Sequence, residues 1–287
     1  MAFHVVDGSG PKKPIKKNSK RPFKKSMNKW LKRLWIVVAI LTVGIGAVSG
    51  YVLINHHQIE QQVSANQKAD SKTKHHASTH AEKLANKDIS FDQNGDIPDA
   101  KTLQNYRNLP EKLSFDGYIA VPKQNGVSTP IKTLQINEGA SNKVLAYGAG
   151  TIKPNQVMGQ GTYGLAAHNV GYGGGSLMFS PMQKGIDVNQ EPKAYLSNGK
   201  NILVYQFYKE SDSVKGRQVI SYKGGGKVAD DVTNGEDPRL VLATCDEPGA
   251  WNSHPENRII MTAHLIKAVS FNGATDYEKS LFPAFNR

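Results

Sequence analysis

From Leu34 to Ile54 the chain reads LWIVVAILTVGIGAVSGYVLI, 21 residues without a charge. At about 1.5 Å rise per residue such a segment spans the roughly 30 Å of bilayer hydrocarbon as one helix. Trp35 and Tyr51 lie where interfacial aromatics belong, and Gly44 and Gly46 are tolerated in membrane helices. A cleaved signal sequence has an apolar region of only about 7 to 15 residues and ends in an A-x-A-like site, which is absent here. The segment is therefore expected to stay as an anchor, with residues 1–33 as one tail and everything after 54 on the far side. A single span in 287 residues excludes a polytopic membrane protein, and 38% hydrophobic residues suffice for a buried core beyond the span.

The formal charge of +12 would suggest a nucleic-acid partner if it were spread over a folded face. It is not: nine Lys and two Arg precede the span, against Asp7 alone, so the tail carries +10 of the total. Positive residues stay on the cytoplasmic side of a span, which predicts an N-in, C-out protein in the cell membrane. The basic run reads as a topology signal that also meets anionic lipid head groups, and no nucleic-acid function is expected.

Residues 55–110 are expected to form a polar stalk, since NHHQIEQQVSANQKADSKTKHHASTH is rich in Gln, Ser, Lys, His and Asn and too poor in large apolar residues to fold alone. His75, His76 and His80 lack a scaffold that would make them metal ligands. Asp99 is placed as the N-cap of a short helix over DAKTLQNYRN. From residue 111 to 287 short apolar runs alternate with Gly, Pro, Asn and Asp. Strands are predicted at 117–121, 131–136, 143–147, 163–168, 193–196, 201–208, 217–222, 239–244 and 258–266, which indicates one all-β sandwich or barrel. A short helix is expected at Ser180-Pro181, with Ser as N-cap and Pro at the first helical position.

Cys245 is the only cysteine, so the chain has no intramolecular disulfide and no multi-cysteine metal site. It stands where the apolar run RLVLAT leaves the core, a good place for a nucleophile. A free cysteine is also among the residue types most often buried and inert. A thiol with an ordinary pKa near 8.5 needs a partner that takes its proton. Of His168, His254 and His264 in this region, His168 is favoured, because it ends YGLAAH as Cys245 ends its own strand. Arg258, thirteen residues after Cys245, returns beside it if the two strands are neighbours. There it would offer fixed donors to a carbonyl oxygen turning negative, or else pair with Asp246, Glu247 or Glu256. The run GYGGGS lacks the Lys-Ser/Thr of a phosphate loop and reads as a flexible loop.

These segments resemble the class A (housekeeping) sortases, membrane-anchored cysteine transpeptidases of Gram-positive bacteria. The resemblance is carried by GAGTIKPNQVMGQGTYGLAAHNVG (148–171) with its A-x-H, by LMFSPM (177–182), and by LVLATCDEPGAWNSHPENRIIMTAHL (240–265) with its T-C and downstream arginine. It covers about residues 112–270. It implies an eight-stranded β-barrel with short helices, His168 as general acid/base, Cys245 as nucleophile and Arg258 as the group that orients the substrate and helps hold the oxyanion. Thr244, Ala243 and Ala167 would line the substrate groove; Ala167 stands where Gly or Ser is common in the family, and Ala243 where a larger aliphatic is frequent. Carboxylates for the calcium site of some members are not evident, so no metal and no cofactor is expected.

The implied reaction is cleavage of an LPxTG-like signal between Thr and Gly through a thioester, then transfer of the exported protein to a lipid-linked peptidoglycan precursor amine. A cysteine protease hydrolysing such a bond is the nearest rival in chemistry, but neither C-G-[SA]-C-[WY] nor Q-A-C-x-G is present. Pilin-polymerising sortases, by the same resemblance, carry an N-terminal lid and often a second span, whereas this sequence closes on YEKSLFPAFNR. A wall-binding module with an inert Cys245 is the remaining alternative.

Overall fold

The computed structural model describes residues 29–70, 77–78, 89–91, 97–108, 113–171, 175–222, 237–247 and 255–286. Its contacts divide the chain into two compact units, residues 1–50 and 51–287. The helix α1, Lys29–Asp70, begins in the first and ends in the second. In the first unit its apolar side chains, Ile36, Ile40 and Val43 among them, are exposed. The helix is long and apolar enough to cross a membrane.

The end of α1 departs from the expected stalk. Ile59, Val63 and Asn66 recur at helical spacing on one face and are buried in the main core of the second unit. Asn66 Nδ2 donates to the carbonyls of Leu103 and Ala146, and Arg107 Nη2 donates to Gln62. Too few apolar residues to fold alone are still enough to dock. The helix α2, Ala100–Asn108, forms as expected, with Asp99 Oδ1 accepting from Thr102 N at 2.7 Å. The stalk histidines His75, His76 and His80 lie outside the described residues.

Nine strands are present among the described residues: β1 Phe115–Val121, β2 Ile131–Asn137, β3 Ala149–Thr151, β4 Thr162–Ala166, β5 Lys193–Ser197, β6 Asn201–Phe207, β7 Arg217–Ser221, β8 Arg239–Cys245 and β9 Asn257–Ser270. They run in the order β6-β5-β1-β2-β3-β4-β8-β9-β7, and a further β6–β9 pairing closes eight of them into a barrel. Closure depends on the length of β9. Its first residues pair with β7, from Asn257↔Ser221 to Met261↔Arg217, and its remainder pairs with β6, from Ala263↔Phe207 to Ser270↔Asn201. The barrel is filled by one face of each of these eight strands, including Ile119, Leu165, Tyr205, Leu242 and Met261.

Three local expectations are corrected. Residues 143–147, expected as a strand, contribute to helix α3, Asn142–Leu145, because Ser141 in extended conformation caps it through Val144 N. Strand β3 was hidden by its small residues. Gly150 runs so close to Gly139 that a Cβ there would collide with the Gly139 carbonyl oxygen. The short helix after Leu177 is a 3₁₀ turn, Ser180–Met182, whose N-cap is Phe179 rather than Ser180. The Ser180 hydroxyl instead accepts from Val170 N and donates to Val170 O.

Candidate active site

Strands β4 and β8 are parallel neighbours, paired from Thr162↔Arg239 to Ala166↔Ala243, so both leave the barrel at the same rim. Chain direction alone brings together what 77 residues of sequence separate. Ala167 N donates to Ala243 O at 3.2 Å and extends the pairing toward His168. Strand β9 starts at that rim in the opposite direction, and its Arg258 pairs in register with Cys245. His168, Cys245 and Arg258 thus occupy the ends of three adjacent strands.

Alternation along a strand decides which way they face. Leu240 and Leu242 of β8 belong to the barrel interior, whereas Val241 and Ala243 belong to a second cluster outside it with Leu145, Ile152, Ala166 and Ile260. Cys245 follows Ala243 by two, His168 follows Ala166 by two, and Arg258 precedes Ile260 by two. All three continue the outer face. They line one small cavity of about 20 Å³, room for about one water, together with Leu145, Ala166, Ala167, Ala243 and Thr244. Thr244 takes the inward parity and its hydroxyl donates to Ala167 O at 2.8 Å, which ties the Cys245 strand to the His168 strand.

Each of the three is constrained. Arg258 Nη1 donates to the carbonyls of Pro255 and Asn257, and its guanidinium carbon lies 4.1 Å from the centroid of the Tyr222 ring. Of the carboxylates that the sequence offered it, Glu247 lies within reach of its charge, while backbone carbonyls and an aromatic face hold it in place. His168 is 2% exposed, and its Nε2 has no hydrogen-bond partner among the described residues. Burial pushes its imidazole down to about 4, and the Arg258 charge acts in the same direction, so the ring is neutral at pH 7. Cys245 is 5% exposed.

His264 pairs with Arg239, at the end of β8 opposite to Cys245, about 20 Å away by strand rise, and its ring packs on Tyr208. It takes no part in this site, and His254 lies outside the described residues. The sequence reading missed Leu145, Asn169, Gln183 and Tyr222, and named Glu247 only as an alternative ion partner of Arg258. Asn169 is fully buried, and its Nδ2 donates to Cys245 O at 3.0 Å and to Gln183 Oε1 at 2.9 Å. Glu247 is pushed up to about 7 by burial, with Arg258 opposing and Asp246 adding to the rise. Asn169 and Glu247 lie inside the segments that carry the resemblance and Gln183 directly follows one, but no local pattern marks the contacts they make. Among the described residues no group of three or more His, Cys, Asp or Glu is placed to hold a metal.

The Sortase domain family matches residues 119–266. Sortase A of Streptococcus agalactiae is 31% identical over 266 residues, covering 90% of this chain and 92% of that protein. Sortase A of Listeria monocytogenes is 26% identical over 199 residues, covering 69% of this chain and 77% of that protein. The crystal structure of the Listeria monocytogenes sortase A is similar over 58% of this chain and 94% of its own, with a TM-score of 0.44.

Proposed function

The chain belongs to the sortase family of cysteine transpeptidases, and we propose that Cys245, His168 and Arg258 carry its reaction, with exported proteins bearing an LPxTG-like signal as donors and a peptidoglycan-precursor amine as acceptor. The observation that supports this assignment best is the shared outer-face rim, where a thiol, a neutral imidazole and a fixed guanidinium line one cavity. A neutral imidazole is the form able to accept a proton.

In the first half-reaction His168 takes the Cys245 proton as Sγ attacks the Thr carbonyl carbon. Negative charge develops on the carbonyl oxygen, and Arg258, with N–H donors beyond the two spent on backbone carbonyls, stabilises it. Collapse of the intermediate breaks the Thr-Gly bond, His168 gives its proton to the departing Gly amine, and the Thr acyl group remains on Sγ as a thioester. In the second half-reaction an acceptor amine attacks that thioester, His168 removes the amine proton, and the thiolate leaves and is reprotonated. Atoms and charge balance, and one amide is exchanged for another. Leu145, Ala166, Ala243 and Ile260 pack as one buried apolar cluster beside the cavity.

The span and the basic residues before it support an anchor with the tail inside and the barrel outside, where exported proteins and wall precursor meet. Peptide turnover by the full-length chain in detergent micelles tests the assignment. C245A and H168A are expected to abolish it. R258K should cost on the order of 10²-fold in kcat, because one point charge replaces a planar fork. Turnover surviving in C245A would overturn the reading.

A further inference from the structure

We propose that Gln183 is a positioning residue for the reaction: its carboxamide bridges the chain after His168 to the chain after Cys245 and so sets one side chain against the other. This inference rests on the assignment of His168 and Cys245 above. Gln183 caps the C-terminal end of the 3₁₀ turn Ser180–Met182. Its Oε1 accepts from Asn169 Nδ2 at 2.9 Å and from Glu247 N at 2.9 Å, and its Nε2 donates to Asp246 Oδ1 at 2.8 Å. The pattern fixes the amide orientation, since two N–H donors meet the oxygen and a carboxylate meets the nitrogen.

Asn169 closes the ring by donating to Cys245 O as well. One side chain therefore touches the residue directly after His168 and the two residues directly after Cys245. The β4–β8 ladder ends at Ala166↔Ala243, two residues short of both reactive groups, and Ala167 N and the Thr244 hydroxyl carry the pairing one residue further. Past that point Asn169 and Gln183 join the two chain ends. The turn that presents Gln183 is itself fastened to the His168 side, because the Ser180 hydroxyl holds both backbone groups of Val170 and Phe179 N donates to His168 O. The bridge is thus rooted on one side and grips the other.

Because Cys245 is the only cysteine, alkylation of the full-length chain by iodoacetamide in detergent micelles at pH 7 reports one thiol without any substrate. In the parent background H168A should slow alkylation by at least about tenfold, the effect of removing a base in reach of the thiol. In a Q183M background, which keeps the shape and removes all three hydrogen bonds, H168A should change the rate by less than about twofold; such loss of coupling is what a double-mutant cycle reads. Q183E sets two carboxylates against each other and should behave like Q183M. The pair Q183E/D246N reverses donor and acceptor in the contact to position 246 while keeping an oxygen for the two N–H groups. It should restore the tenfold effect.

All variants are compared at matched circular dichroism and Tm, which a merely structural role would move without altering the H168A effect. An H168A effect of parental size in both Q183M and Q183E, or its absence in Q183E/D246N, would overturn the proposal while leaving the catalytic assignment intact. No H168A effect in the parent itself would overturn the assignment of His168 as base, and the role of Gln183 with it.

Discussion

His168 shows how burial sets chemistry one residue at a time. Water is excluded from a ring that also faces a guanidinium, and both push its pKa to about 4, below the ordinary 6.5 that it regains on unfolding. The unfolded chain thus binds a proton that the folded chain refuses. Stability present above pH 6.5 is lost as the pH falls toward 4, by roughly 3 kcal/mol in full. Chemical denaturation across that window should show the loss in the parent and not in H168Q; an equal loss in H168Q would remove His168 as its source. Glu247 is raised, to about 7, so it ionises as the pH rises through neutrality and there begins to draw on the Arg258 charge. The kcat/KM profile should fall above about pH 7 in the parent and stay flat there in E247Q, while a fall of the same size in E247Q would count against this competition. Cys245, His168 and Arg258 could be singled out in the sequence because each stands where an apolar run meets polar residues, while their roles came from the likeness to the sortases. The bridging contacts of Asn169 and Gln183 and the burial of Glu247 could not be read there, because they depend on packing and on partners 14 to 76 residues away.

At the scale of elements, apolar periodicity located eight of the nine strands, and it failed where side chains are small or capped. β3 is Ala-Gly-Thr and has no large apolar residue to alternate. Residues 143–147 have strand-like composition, but the Ser141 cap outweighs it over so short a stretch. That helix matters to the site, since Leu145 lines the cavity and the following Ala146 carbonyl is held by Asn66 from α1. The polar sequence after the span concealed this docking, because one helical face of Ile59, Val63 and Asn66 is a weak pattern among so many Gln, Ser and His. N66A should therefore destabilise the folded unit by about 1–3 kcal/mol, the cost of leaving buried carbonyls without donors. Thermal unfolding would measure it, and an unchanged Tm would show that α1 is not integral to the unit.

For the whole molecule, the closed barrel turns topology into function. Two parallel strands and one antiparallel neighbour deliver a thiol, an imidazole and a guanidinium to one rim, and a 14-residue β9 both supplies the arginine and closes the barrel through β6. Strand periodicity alone left sandwich or barrel open; the likeness to the sortases implied an eight-stranded barrel, and the β6–β9 pairing bears that out. The reaction proposed for Cys245 is the passing of an acyl group from a sorting peptide to an amine. Mass spectrometry of the full-length chain with an LPxTG peptide, with and without triglycine, tests it most directly. A thioester adduct is expected on Cys245 that C245A does not form, with a product in which triglycine replaces everything after Thr. Cleavage by water alone at high triglycine, or an equal yield of product from C245A, would contradict it.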